Sequence, residues 1–286
     1  MTAPDLAAGP VTPDRPRRSW TFSIGLLLVG LNIAVALLTL VWTPYDPSST
    51  AGGRLEMPSL AHLAGTDRLG RDLFTQIMIG ARIALLVGAG AVAIGATIGV
   101  TLGLLAAFAS RWLDDALAAA LDILIAFPTL LLAMLVVAAS DTATLGSAIL
   151  ALGIALSAIV GRLTRILAKR VLQMDYITAA RTSGTSWPMI VVRHILPNIW
   201  PTLMVNFALQ FGLAAIAEAS LSYLGLGAPP PNASWGRLLQ EAQSTVYTAP
   251  FGAIAPGLAL LILVLGVNLL ADGLRDIGDP TGRSDR

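Results

Sequence analysis

The chain has no cysteine among its 286 residues, which excludes disulfides, thiolate zinc sites, iron–sulfur clusters and a cysteine nucleophile. Histidine is nearly absent. His62 and His194 lie far apart and neither belongs to an H-E-x-x-H motif, so no metal site is expected. Lys169 is the one lysine, and Ala168 rather than glycine precedes it. A G-x-x-x-x-G-K-[ST] loop therefore cannot form, and the chain does not bind ATP by a P-loop of its own. Charge is scarce as well: 12% of residues are charged, against about 25% in an ordinary soluble domain. The net charge of +1 steers nothing in bulk, and no nucleic acid partner is expected.

What is present is apolar surface. Hydrophobic residues make up 55% of the chain and the mean hydropathy is +0.75. One soluble core of this size could not hide so much, whereas a bilayer solvates apolar faces directly. The expected class is all-α, a polytopic membrane protein with six transmembrane helices. The first run, 20–42, is bracketed by Trp20 and Trp42, which gives about 33 Å of helix with an aromatic residue at each interface. It follows a Pro- and Ala-rich tail, 1–19, read as disordered and cytoplasmic. The run is too long for a signal-peptide core, and Thr43-Pro44-Tyr45-Asp46-Pro47 is a poor cleavage site, so it is read as an uncleaved span.

A polar extracytoplasmic stretch, 43–82, precedes a five-helix core, 83–272, and a cytoplasmic tail, 273–286, ends the chain. The runs in the core are 83–109, 116–139, 145–163, 195–226 and 251–270. Gly95, Gly99 and Gly103 form two overlapping G-x-x-x-G steps, which either bring another helix close or reflect the frequency of glycine in membrane helices. Six spans put both termini on one side. That side collects most of the arginines, and by the positive-inside rule it is cytoplasmic. The expected location is the plasma (inner) membrane.

The block 166–195 lies on the same side. Asp175 can cap a short helix from Tyr176 to Ser183, and Gly184 can end it in the left-handed conformation. The result is a helix off the spans with a small-residue surface at Ala179 and Ala180. It suits a partner's groove, or it is a plain interfacial loop. Pro197 begins span five, where proline is tolerated.

Polar residues in or near the spans divide between readings. Glu218 is either a pathway or gate residue, or a residue of an outer or re-entrant turn if span five ends early. Asn206 and Gln210 share one helix face and either line a pore or bond a neighbouring helix. Asp122 is expected to pair with an arginine, and Arg162 and Arg165 to anchor at lipid phosphates. Gly65, Thr66, Asp67, Arg71 and Asp72 precede span two and either touch another protein or cap the fold. His62 is expected to be structural.

The block Thr178-Ala179-Ala180, Gly184, Leu196, Pro197 resembles the EAA loop of binding-protein-dependent ABC importer permeases, E-A-A-x3-G-x9-I-x-L-P. Two positions depart: Thr178 replaces the Glu and His194 stands where Ile is expected. Further blocks are similar to the C-type subunits of the dipeptide/oligopeptide/nickel permeases. They are His62 to Asp72, Gly80-Ala81-Arg82, Asp122 with Ala126-Phe127-Pro128, Arg193 to Asn198, Glu218 to Gly227, Trp235-Gly236, and Asp272 to Asp276. The resemblance covers roughly residues 20–280. It implies an ABC importer type I permease fold and half of a transmembrane pathway for di- or oligopeptides. The implied partners are a second permease subunit of B type, two ATPase subunits docked through Asp175, Tyr176 and the EAA positions, and an extracytoplasmic binding protein. It implies no cofactor in this chain, with ATP and magnesium held by the ATPases. A nickel or glutathione importer is the alternative in the same family. A self-contained secondary transporter is the alternative of another class, and it would need coupling carboxylates and an internal repeat.

Overall fold

A computed structural model describes residues 20–140, 144–227 and 233–278. The segments 1–19, 141–143, 228–232 and 279–286 lie outside the described residues, and with them the expectations placed there.

Among the described residues the regular elements are helices, with an irregular stretch 39–72 that holds one isolated bridge, Thr66 to Asp72. The helices are α1 Trp20–Leu38, α2 Leu73–Phe108, α3 Arg111–Ala126, α4 Thr129–Ala138, α5 Leu145–Leu172, α6 Asp175–Thr182, α7 Trp187–Ile190, α8 Leu196–Tyr223, α9 Trp235–Ala242 and α10 Phe251–Gly278. A π turn, Val191–Ile195, joins α7 to α8, so one continuous helix runs from Trp187 to Tyr223. Five helices are long and apolar enough to cross a membrane. The pair α3 and α4, bent by 92°, passes the same test only when taken together, which makes six crossings if the pair is one span. We call the end of the bundle that carries α6 proximal and the opposite end distal.

The structure extends α5 to Leu172 and α10 to Gly278, beyond the ends at 163 and 270 read from sequence, and three further boundaries differ for a local reason. The second helix begins at Leu73, not Ile83, because Asp72 caps it: its Oδ2 accepts from the Thr75 amide at 2.7 Å. The third run breaks at Phe127-Pro128. Proline forces the preceding residue out of the helical region, and Phe127 lies at ψ 132. Span five begins at Trp187, ahead of Ile195. Pro197 cannot donate to the turn before it, and the ladder widens there so that the Leu196 amide reaches the Val191 carbonyl.

The centre of the bundle is the α2–α5 contact. A Cβ on Gly99 would stand 2.6 Å from the Ser157 carbonyl oxygen and 2.9 Å from the Gly161 amide nitrogen. The G-x-x-x-G face therefore serves close backbone approach, matched on α5 by Gly153 and Gly161. Around that seam, Ile83, Val87, Ala91, Leu152, Leu156 and Leu221 form the main core. α1 packs on α10, with Gly25 against Leu270 and Gly273 against Phe22. The outer faces stay apolar and exposed, as at Leu27, Leu31 and Leu37 on α1 and Leu258 and Leu261 on α10.

Two groups of ions tie the proximal end. The Asp114 carboxylate receives Nε and Nη2 of Arg165 at 2.5 and 2.9 Å and also the Lys169 ammonium. Asp122 pairs with Arg162 at 3.0 Å, both about half exposed. Arg162 and Arg165 thus bind carboxylates on α3, rather than serving only as anchors at lipid phosphates.

Candidate functional site

The helix α6 lies beyond the proximal ends of the spans. It is reached from α5 through Gln173 and Met174 and anchored by one side chain: Ile177 is 2% exposed and packs with Ala168, Val171, Ile190, Ile195 and Ile199. The rest of the helix faces outward. Asp175, Tyr176, Thr178 and Ala179 are exposed and Ala180 is half-buried. Asp175 does not cap from outside as its type suggested. Met174 holds the cap position and Asp175 is the first helical residue, where its charge still meets the positive end of the helix.

The exit from α6 follows its glycine. Gly184 has φ +82, and a Cβ there would meet nothing within 4 Å, so its requirement is purely backbone. The Thr185 amide bonds the Ala180 carbonyl at 3.1 Å and the Gly184 amide bonds the Arg181 carbonyl at 3.0 Å, the paired closure of a Schellman turn. The Arg181 guanidinium then lies 4.2 Å over the Trp187 ring, and Trp187 meets Phe108 edge-on at 5.1 Å. This stack joins α6 to the start of the long helix and to the end of α2. Sequence reading missed it, and the spacing Arg181 to Trp187 across a glycine turn was its only trace. Leu196 is half-buried and Pro197 exposed, directly after the π turn.

Along α8 the polar residues turn inward. Glu218 lies within the helix and is 2% exposed, which overturns the placement in an outer or re-entrant turn. Helix α8 continues to Tyr223 because it ends through Gly225, φ +82, with the Leu226 amide bonding the Leu221 carbonyl at 2.8 Å. The Glu218 carboxylate receives the Ser222 hydroxyl at 2.7 Å and hydrogen-bonds Ser234, which itself caps α9 through the Arg237 amide. Gln210 is 3% exposed, and the side-chain oxygens of Gln210 and Asn206 are buried without a partner among the described residues. Asn206 itself is half-buried, and neither side-chain oxygen bonds a neighbouring helix among the described residues.

The distal end is a tight cap. Thr66 donates to the Gly53 carbonyl at 2.6 Å and accepts from the Glu56 amide. Asp67 accepts the amides of Leu69 and Arg71 and the Arg71 guanidinium at 2.6 Å. His62 Nδ1 lies 2.9 Å from Asp72, both buried. Gly65, Thr66 and Asp72 are buried and committed within the chain, so they cap the fold and do not form an exposed contact. Arg71, half-buried, reaches Glu241 of α9 at 3.1 Å, and Glu241 also holds Arg237 at 2.9 Å. Glu241 was not anticipated, although its i,i+4 spacing from Arg237 was a signal.

Helix α9 is clamped by two adjacent residues. Trp235 is 2% exposed, donates its indole N–H to the Ile77 carbonyl at 2.9 Å and lies over Gly80. Gly236 sits on the Ala219 carbonyl so closely that any Cβ would collide with it. Glu218, Ser234 and Trp235 thus fasten α9 onto α8 and α2.

Comparison with known proteins places this arrangement. Residues 99–283 match the family described as binding-protein-dependent transport system inner membrane component. A dipeptide transport system permease protein of Alkalihalophilus pseudofirmus is 37% identical over 262 residues, 91% of this chain and 86% of that protein. A glutathione transport system permease protein of Pectobacterium atrosepticum is 42% identical over 260 residues, 90% and 86% of the two chains. The same-named protein of an Escherichia coli strain is 41% identical over 268 residues, covering 93% and 88%.

Proposed function

Since the chain belongs to the family of binding-protein-dependent transport system inner membrane components, we propose that it is one permease subunit of an ATP-driven importer for di- or oligopeptides. The peptide assignment rests on relatives named for dipeptide and glutathione transport over nearly the full length. The observation that carries the mechanism is α6: a short exposed helix off the spans, held by Ile177 beneath and by the Arg181–Trp187–Phe108 stack beside it. An ATPase that grips Asp175, Tyr176, Thr178 and Ala179 would move the ends of α2, α5 and the long helix together. ATP and magnesium would be held and hydrolysed there, not in this chain. Two ATPases, a second permease subunit and an extracytoplasmic binding protein complete the assembly. The proximal end, rich in arginine, is cytoplasmic in an inner membrane, with both termini on that side.

Glutathione, itself a small peptide, is the second substrate reading, favoured by the glutathione permeases among the relatives. Nickel has less support from this subunit, since His62 is buried against Asp72 and His194 stands beside Tyr176. A self-contained secondary transporter would use Glu218 for coupling, and its carboxylate is occupied by serine hydroxyls.

The test is copurification in mild detergent with reconstituted uptake. A second permease and two ATPases should accompany the wild type. Gly184→Pro cannot adopt φ +82 and loses the amide bond to the Arg181 carbonyl, so it should lose ATPase docking and ATP-dependent uptake. Docking and uptake left intact in that variant would refute the role given to α6. Uptake by the chain without any ATPase would favour the secondary transporter, and competition between dipeptides and glutathione separates the two substrates.

A further inference from the structure

Arg82 stands in the third turn of α2, half-buried, and no carboxylate or carbonyl among the described residues pairs with it. Its level in the bundle can be read from both directions. Above it, toward the distal end, the first turns of α2 are enclosed by protein: Leu73 is 2% exposed, Met78 4%, and Gly80 lies under Trp235. Below it the outward residues are apolar, beginning with Leu86 at 50% exposure. From Ile83 to Phe108 the helix covers about 39 Å at about 1.5 Å per residue, close to the thickness of a bilayer with its headgroups. Beside Arg82 lies the distal end of α1. The two meet across a cleft of about 440 Å³ lined by Thr39, Trp42, Thr43, Ser48, Ile79 and Arg82 among others.

The chemistry of that cleft is one-sided. No acidic residue lines it. The Thr39 and Thr43 hydroxyls already donate to the carbonyls of Ala36 and Tyr45. Arg82 is left to bring a guanidinium with its donors unused, and a planar fork of N–H groups suits a phosphate better than any other common anion at a membrane boundary. The mouth is apolar: Leu40, Val41 and Trp42 are 62%, 85% and 54% exposed. An indole beside aliphatic side chains at that level is the environment of the lipid glycerol region. The volume holds a phosphodiester together with several waters of about 30 Å³ each.

We propose that Arg82 and the cleft beside the distal end of α1 bind the phosphate of a membrane phospholipid headgroup, in the leaflet opposite α6. The lipid would fasten the distal end of α1, which otherwise packs on α10 and α2, to Arg82 of α2 at the water boundary.

The experiment uses the whole detergent-solubilised complex, delipidated, with thermal stability as the readout. Three probes are compared: phosphatidylglycerol, diacylglycerol with the same acyl chains, and inorganic phosphate. Phosphatidylglycerol should raise the melting temperature of the wild type, while diacylglycerol and inorganic phosphate at equal concentration should not. In Arg82→Ala the apparent affinity for phosphatidylglycerol should fall about tenfold or more, with Arg82→Lys between the two. Undiminished affinity in Arg82→Ala overturns the proposal. Equal protection by inorganic phosphate overturns the lipid as its source. Loss of the second permease subunit with unchanged lipid affinity would show that Arg82 pairs with a partner's carboxylate instead. Should Arg82→Ala fail to fold, photoactivatable phosphatidylglycerol on the wild type decides. Labelling of residues 39–48 and the region of Arg82 supports the site, and labelling only elsewhere refutes it.

Discussion

Gly99→Ala tests whether the α2–α5 seam holds the bundle through backbone contact. The added Cβ would stand 2.6 Å from the Ser157 carbonyl oxygen, 2.7 Å from Val160 Cβ and 2.9 Å from the Gly161 nitrogen. Ordinary contact needs about 3.5 Å, so the helices must part by about 1 Å. Two of the three obstacles are backbone atoms and cannot rotate away. Overpacking of this kind costs about 1–3 kcal/mol, and in a chain of this size each kcal/mol lowers the melting temperature by about 2–4 °C. The expected loss is therefore about 2–12 °C. Gly103 meets the Gly161 carbonyl oxygen at 2.5 Å and Thr164 Cβ at 2.6 Å, so Gly103→Ala should lose at least as much. At Gly95 the nearest atoms stand at 3.2 Å, and the loss should be smaller. Gly30 on α1 has nothing within 4 Å, and Gly30→Ala should be neutral or slightly stabilising, since alanine favours helix by up to about 1 kcal/mol. The assay is the fraction of monodisperse protein surviving a temperature ramp in mild detergent. The reasoning fails if Gly99→Ala melts with Gly30→Ala, or if Gly95→Ala falls further than Gly103→Ala.

Two more outcomes follow from the ion pairs and the buried carboxylate. Asp114→Asn leaves Arg165 and Lys169 facing a neutral group. Their side chains are 21% and 36% exposed, so the loss should be about 1–3 kcal/mol, below the range for a fully buried pair. Asp122→Asn, in a pair about half exposed, should cost under about 1 kcal/mol in the same thermal assay. Equal losses would sink the distinction. Glu218→Ala strands the Ser222 and Ser234 hydroxyls, for about 1–3 kcal/mol, and should loosen α9 enough to speed proteolysis of the segment 243–250. Glu218→Gln keeps an acceptor and should be milder, and identical cleavage rates in all three proteins would refute the fastening role.

The membrane class, the crossings and the short helix 175–182 were legible because each leaves a local mark: an apolar run, a tryptophan pair, a glycine exit. Hydropathy placed the second span at Ile83 because the apolar run and the enclosed start of α2 obey different solvents. Leu73 to Ala81 is a helix buried in protein, whereas Ile83 onward is a helix in lipid. Hydropathy also missed the bend at Pro128, since a window average does not see that one residue is barred from the helical region. The turn reading of Glu218 fails for a related reason. A carboxylate in an apolar run reads as the run's end, unless one knows that Ser234, further along the chain and just outside α9, supplies a partner. The long-range pairs Asp114–Arg165 and Arg71–Glu241 carried no local mark at all.

The blocks that resemble the family fall into two groups by place, and their separation in sequence hides how few contacts they make. Gly80 and Trp235 are one contact; Gly236 and Ala219 are another; Asp72 and His62 are a third. In each, one side is a residue of fixed shape and the other is a glycine, a carbonyl or a cap that admits it. These contacts hold α9 to α2 and α8, and the distal cap to α2. The glycine seam holds α2 to α5, and α5 leads through Gln173 and Met174 into α6. The bend at Pro128 and the widened π turn 191–195 lie in other helices. α6 is thus joined to α5 through Gln173 and Met174, and through Ile177 it packs on the long helix as well.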